Sequence, residues 1–200
     1  AGALFLRGSE GYPRRSPVRN RRRRGGNEAL SVQCQFRARN FAAYNSPMDI
    51  SPIEFRGQPA LRAAGADGSA FTVALHGAQL LSWTTADGTE RLYVSFSAVF
   101  DGQAAIRGGV PICCPQFNQR GMLPKHGFMR NLPWENRGID ATSGELTLRL
   151  RDSEATRRLW PHAFEARLQI GMAAGRLRTA LTLLNTGHGP FSFAAALHTY

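Results

Sequence analysis

From residue 145 onward, apolar and polar side chains take strict turns along the chain. Leu146, Leu148 and Leu150 alternate with Glu145, Thr147 and Arg149. Phe164, Ala166, Leu168 and Ile170 alternate with Glu165, Arg167 and Gln169, and Leu177, Leu181 and Leu183 with Arg176, Arg178 and Thr182. Successive side chains of a strand point to opposite faces, so period two over consecutive segments predicts antiparallel sheet with one face buried. Met172–Gly175 then forms the tight turn of a hairpin. The helical signal is thin, confined to one short turn over Glu154–Leu159.

Upstream, Ala70–Leu75 and Ala78–Thr84 are apolar, β-rich runs split by His76-Gly77, which predicts a hairpin. A further strand is expected over Arg91–Val94, after the turn signal Asp87-Gly88. The stretch 101–133 is rich in Gly and Pro and has little periodicity. Loops of that length in a compact domain are functional or disordered. The anchors Ile106, Ile112, Phe117, Phe128 and Trp134 favour an ordered loop here. Along Phe191–Tyr200, Phe191, Phe193, Ala195 and Leu197 share one face, with Ser192, Ala194, Ala196, His198 and Tyr200 on the other. His198 therefore lies on a face floored by small side chains, which either leaves space for a flat ligand or packs against a second sheet with His198 hydrogen-bonded inside. The elements together predict an all-β chain, an antiparallel β-sandwich.

Composition agrees: 200 residues with 42 % hydrophobic content suffice for one core, and 21 Gly with 11 Pro favour short strands and turns. No apolar run is long enough for a membrane span. The net charge of +11 is unevenly spread. Residues 1–45 carry ten Arg and two acids, including the run Arg21-Arg22-Arg23-Arg24, so residues 48–200 are only mildly basic. That suits a small anionic ligand without demanding nucleic acid. Residues 1–47 read as a basic, disordered extension and 48–200 as the domain. The extension is open to three readings: an upstream stretch outside the functional protein, since the first Met is Met48, an organelle transit peptide, or a nucleic-acid-binding arm. The odd cysteine count (Cys34, Cys113, Cys114) gives no disulfide framework and no zinc spacing, which points to a reducing compartment, the cytoplasm, or an organelle if the head is a transit peptide.

Two stretches of the long loop carry candidate chemistry. In Ala105–Pro111, Arg107 precedes two glycines, which let backbone approach a ligand closely. In Leu123–Asn131, Lys125, His126 and Arg130 fall within six residues around Gly127 and Phe128. Arginine offers a planar fork of donors matched to phosphate oxygens, and a nearby histidine can move a proton. Equally, the loop could be purely structural, with Arg130 capping carbonyls and His126 bonded to backbone.

As a set these motifs are specific. Ile106-Arg-Gly-Gly-Val-Pro-Ile-Cys113, Pro115-Gln-Phe117, Leu123-Pro-Lys-His-Gly-Phe128, Arg130-Asn131 and Leu197-His-Thr-Tyr200 resemble the glucose-6-phosphate 1-epimerase family, the hexose-6-phosphate mutarotase branch of the aldose 1-epimerase superfamily. Gly77-Ala-Gln-Leu-Leu-Ser-Trp83 and Phe191-Ser-Phe193 add to the match. The resemblance covers about residues 52–200, in order. It implies a galactose mutarotase-like supersandwich, a hexose 6-phosphate as small-molecule partner, and no metal or organic cofactor. It implies that a carboxylate and a histidine open and reclose the sugar ring. By motif, His198 is the general acid, His126 a supporting histidine, Arg107 and Arg130 the phosphate-binding pair, and Gln79 a substrate contact near the groove. The protein is expected to act as a monomer, with nucleic acid engaged only through residues 1–47.

Three departures bear on this. The family chain is longer, and its general-base Glu and a sugar-binding Asp follow the His-Thr-Tyr motif; no acid here matches either. The 200-residue chain is therefore expected to be inactive, with a strand edge and apolar face left uncovered. Cys114 stands where an aromatic is usual and Met129 replaces a smaller residue. The Arg-rich head has no counterpart. The alternatives are a carbohydrate-phosphate-binding protein without catalysis, and an aldose 1-epimerase for free sugars, against which the paired arginines argue.

Overall fold

The structure is a computed structural model that describes residues 6–7, 29–35, 47–173 and 175–200. Strands dominate it: β1 (Leu6–Arg7), β2 (Ala29–Gln35), β3 (Met48–Phe55), β4 (Gln58–Gly65), β5 (Ala70–Ala74), β6 (Leu80–Thr84), β7 (Ile112–Cys113), β8 (Glu135–Ile139), β9 (Leu146–Arg151), β10 (Phe164–Ala173), β11 (Arg176–Asn185) and β12 (Ala194–Leu197). They form three antiparallel sheets ordered β1-β12-β7, β2-β11-β10-β9-β8 and β3-β4-β5-β6. The all-β reading holds, including the hairpins β5–β6 and β10–β11. Of residues 1–47, the short strands β1 and β2 and residue 47 are described; the remainder of the expected disordered head lies outside the described residues.

Register explains the five-stranded sheet. Leu148, Leu168 and Leu181 lie opposite one another on β9, β10 and β11, and all three are buried. Each such leucine contributes about 1.5–3 kcal/mol by leaving water. The opposite face carries Arg149 beside Arg167, and Glu165 beside Arg151. Glu165 bridges Arg151 at 2.9 Å and Arg167 at 2.5 Å, so one carboxylate ties two guanidinium groups and the face keeps an excess of positive charge. A cavity of about 550 Å³ opens on that face; it contains neither His126 nor His198.

The one α-helix among the described residues, α1 (Glu154–Leu159), starts at a capping box: Ser153 Oγ accepts from Thr156 N–H, while Thr156 Oγ1 accepts from Ser153 N–H. Trp160 and Phe164 then join the main core with Phe128, Met129 and Phe193. In the four-stranded sheet β5 is buried along its whole length. Phe71 and Val73 enter the main core, while Ala74 packs on the other side with Leu81 and Ile106.

The strand expected over Arg91–Val94 does not form; only isolated bridges occur, Thr84 to Glu90 and Val94 to Gly108. The cause is local. Glu90 Oε1 accepts the N–H groups of Trp83, Arg91 and Leu92 at 2.9–3.0 Å, so the chain wraps around one carboxylate and the single cross-strand bond from Arg91 N–H to Trp83 O at 2.9 Å is not extended into a ladder.

Candidate active site

The long loop is ordered because side chains pin it from within. Gln116 is buried; its Nε2 donates to the carbonyls of Asn118 and Leu123, both at 3.0 Å, and its Oε1 accepts from Leu123 N–H at 3.0 Å. Trp134 Nε1 donates to the Met129 carbonyl at 3.0 Å, holding the 3-10 turn Met129–Asn131 that carries Arg130.

His126 sits in this loop with φ +69, a region costly for a residue with a side chain. Its backbone N–H donates to Asn118 O at 3.0 Å, and its Nδ1 accepts from Asn118 N–H at 3.2 Å. An accepting Nδ1 fixes the neutral tautomer with the proton on Nε2. Burial depresses its pKa below the ordinary 6.5, and the charges of Arg130, Lys125 and His198 push the same way.

His198 follows β12, tied by its N–H to the Pro111 carbonyl at 3.2 Å. As the alternation predicts, Phe193, Ala195 and Leu197 enter the core, while His198 is half-buried on the other face. Its ring centroid lies 6.4 Å from that of His126. Both imidazoles stand against Phe117, at 5.0 Å for His126 and 6.2 Å for His198, and Tyr200 flanks His198 at 4.8 Å. The buried Nδ1 of His198 has no hydrogen-bond partner among the described residues.

Arg130 is half-buried and donates from Nη2 to the Lys125 carbonyl at 3.0 Å. Its Nε is buried without a partner among the described residues. The Cys113 thiol is pushed up to about 11 by burial, with the Arg130 charge acting in the opposite sense. His126, His198, Lys125 and Arg130 thus form one cluster. The backbone bonds of a structural loop are present: His126 uses Nδ1 and Arg130 uses Nη2, and among the described residues neither His126 Nε2 nor Arg130 Nη1 makes a hydrogen bond.

Arg107 lies on the adjacent loop with its side chain exposed. Among the described residues its guanidinium makes no hydrogen bond or ion pair with the histidine cluster. The backbone brings the two together: Tyr200 N–H donates to Gly109 O at 3.0 Å, so the chain carrying His198 runs beside Gly109–Pro111.

Gln79 lies behind the Arg107 loop. It is fully buried, and its Nε2 donates to the carbonyls of Ile106 at 2.9 Å and Gly108 at 2.6 Å. Direct substrate contact, as expected from the motif, is replaced by a place behind the Arg107 loop, because its amide is spent on backbone. Phe117, which the sequence marked as a loop anchor and as part of the Pro115-Gln-Phe117 motif but not as a site residue, is the surface both imidazoles share.

Two observations outside geometry close the assignment. The sequence profile of the aldose 1-epimerase family matches residues 60–200. The chain belongs to the aldose 1-epimerase family. Within that family it is 38 % identical over 149 residues to a Cenchrus ciliaris protein named "Putative glucose-6-phosphate 1-epimerase", covering 68 % of this chain and 44 % of that protein. A protein of the same name from Escherichia coli is 43 % identical over 132 residues, covering 64 % of this chain and 43 % of the relative. The chain therefore spans less than half the length of these curated relatives. Among solved structures, one titled "putative mutarotase (YeaD)" from Salmonella typhimurium superposes with a TM-score of 0.58 at 32 % identity, over 78 % of this chain and 54 % of that one. The aldose 1-epimerase fold is thus the antiparallel β-sandwich that the alternation and the motifs imply. No helix among the described residues is long and apolar enough to cross a membrane.

Proposed function

We propose that the full-length protein interconverts the α and β anomers of glucose 6-phosphate or a related hexose 6-phosphate. The observation that carries this reading is the His126–His198 pair, 6.4 Å apart with Arg130 beside it. Family membership and the names of the relatives support the isomerase class.

In this reading the phosphate is gripped by Arg107 and Arg130, whose planar forks favour a dianionic tail over a hydroxyl. His198 is the general acid and His126 donates from Nε2–H to an oxygen of the ring region. A carboxylate takes the proton of the anomeric hydroxyl while His198 gives one to the ring oxygen. The bond from C1 to the ring oxygen breaks, leaving an open-chain aldehyde. Rotation about C1–C2 presents the other carbonyl face. The C5 hydroxyl oxygen then attacks C1, His198 takes back its proton, and the carboxylate returns one to the former carbonyl oxygen. One group serves as acid and then base, which suits an imidazole. No cofactor is needed.

The neighbouring groups that push the His126 pKa down are Arg130, Lys125 and His198. In this reading the carboxylate base comes from another part of the protein, as the family motif implies, and the 200-residue chain alone gives no conversion above the spontaneous rate. The protein acts as a cytoplasmic monomer, a reducing setting that suits its buried free thiols, Cys113 and Cys114.

A coupled assay that consumes only β-glucose 6-phosphate, started from the α anomer, tests the reading on the full-length protein. Acceleration is expected there. Equal acceleration by the 200-residue chain would remove the need for an outside base.

A further inference from the structure

We infer that the turn joining β5 and β6, and Gln79 in particular, is a positioning device that sets how Arg107 and Arg130 are presented to a phosphorylated sugar; this rests on the function proposed above. Both arginine loops are seated on residues 75–80. On one side, the two N–H bonds of the Gln79 amide go to the carbonyls of Ile106 and Gly108, the residues immediately before and after Arg107. Arg107's own carbonyl accepts from Ser95 N–H at 3.0 Å on the other side. Val110 N–H donates to Leu80 O at 2.8 Å, and Ile106 is buried against Ala74 and Leu81. The Arg107 backbone is thus held at three successive carbonyls while its side chain is left exposed.

The same turn carries the second loop. Gly77 N–H donates to Leu132 O at 2.7 Å, and Trp134 N–H to Leu75 O at 2.8 Å. Gly77 has φ +72, and a Cβ there would collide with the backbone carbonyl of Arg130. Glycine is needed for both reasons. The turn is also strained: Ala78 has φ +45 and is fully buried. Gln79 Oε1 is buried without a partner among the described residues. A stretch optimised for stability alone would keep neither the strained alanine nor the unpaired acceptor. Both are tolerated where the amide's two donors are required, and what they hold is the arginine loop.

Gln79→Met keeps the length and removes both donors; Gln79→Asn keeps the donors on a shorter arm and is the milder change. The full-length protein is assayed with α-glucose 6-phosphate and with α-glucose, alongside Arg107→Ala. As a control, Leu148→Ala opens a cavity in the five-stranded sheet and lowers stability without touching either loop. The expected result is a KM for glucose 6-phosphate raised about tenfold in Gln79→Met and less in Gln79→Asn, at unchanged kcat and unchanged kinetics on glucose. Amide exchange should quicken over residues 105–110, and Leu148→Ala should keep the wild-type KM. Should Arg107→Ala lose the phosphate preference while both Gln79 variants keep it, the positioning inference is overturned and the site reading survives. Should Arg107→Ala keep the preference, the phosphate reading fails and takes the inference with it.

Discussion

The imidazoles of His126 and His198 face a common ring, Phe117, yet stand 6.4 Å apart at their centroids, too far to hydrogen-bond each other. They are therefore free to address two different atoms of one small ligand. His126 has its Nδ1 occupied by Asn118 and only Nε2–H to offer. Replacing His126 with Ala should lower kcat/KM for glucose 6-phosphate about 10- to 100-fold, the loss of one strong hydrogen bond to the reacting ring. Steady-state kinetics on a variant with unchanged circular dichroism checks this.

The pH dependence follows from the same residue. Burial, then the charges of Arg130, Lys125 and His198, depress the His126 pKa below 6.5. Its neutral form is the native form, so below about pH 6.5 the unfolded chain binds a proton that the folded chain resists. The stabilisation is complete above that value and is lost as pH falls below it. His126 stays a neutral donor at pH 7. An NMR titration of its imidazole should give a midpoint under 6.5 and, in Arg130→Ala, a midpoint shifted upward.

Arg130 separates charge from geometry. Its Nη2 is held by the Lys125 carbonyl and its Nε is unpartnered among the described residues. Arg130→Lys keeps the charge and loses the fork, so KM for glucose 6-phosphate should rise about tenfold. Arg130→Ala should raise it further, with glucose kinetics unaffected in both. Isothermal titration with glucose 6-phosphate gives an independent measure of the same loss.

Gln116 holds the loop that presents His126. Truncation to Ala leaves the Leu123 N–H and the Asn118 and Leu123 carbonyls without their partner. A loss of about 1–3 kcal/mol is expected. Chemical denaturation measures it, and amide exchange should quicken over residues 118–126 while β10 and β11 stay protected.

What the sequence disclosed depended on how one-sided each element is. β9, β10 and β11 bury one face and wet the other, so Leu148, Leu168 and Leu181 announced themselves by alternation. β3 is half-exposed and interrupted by Pro52, and β8 is mostly exposed with an irregular register, so neither carries that signal. β4 packs small residues such as Ala60 and Ala63, which read as weak strand formers. At the site, His198 was readable because it breaks an apolar strand face, and His126 and Arg130 because they cluster in sequence. The setting of Gln79 was not legible, because a motif names a residue and not which way its amide points. Its partners, Ile106 and Gly108, are 27 and 29 residues away, a contact that only the fold creates.

The most direct measurement is two-dimensional exchange NMR on the anomeric protons of glucose 6-phosphate and of glucose, with the full-length protein and with its His198→Asn variant. The account predicts strong exchange between the α and β signals of glucose 6-phosphate, weak exchange for glucose, and a fall of about 10²- to 10⁴-fold in His198→Asn at unchanged fold. Undiminished exchange in His198→Asn, or equal exchange for the two sugars, would contradict it.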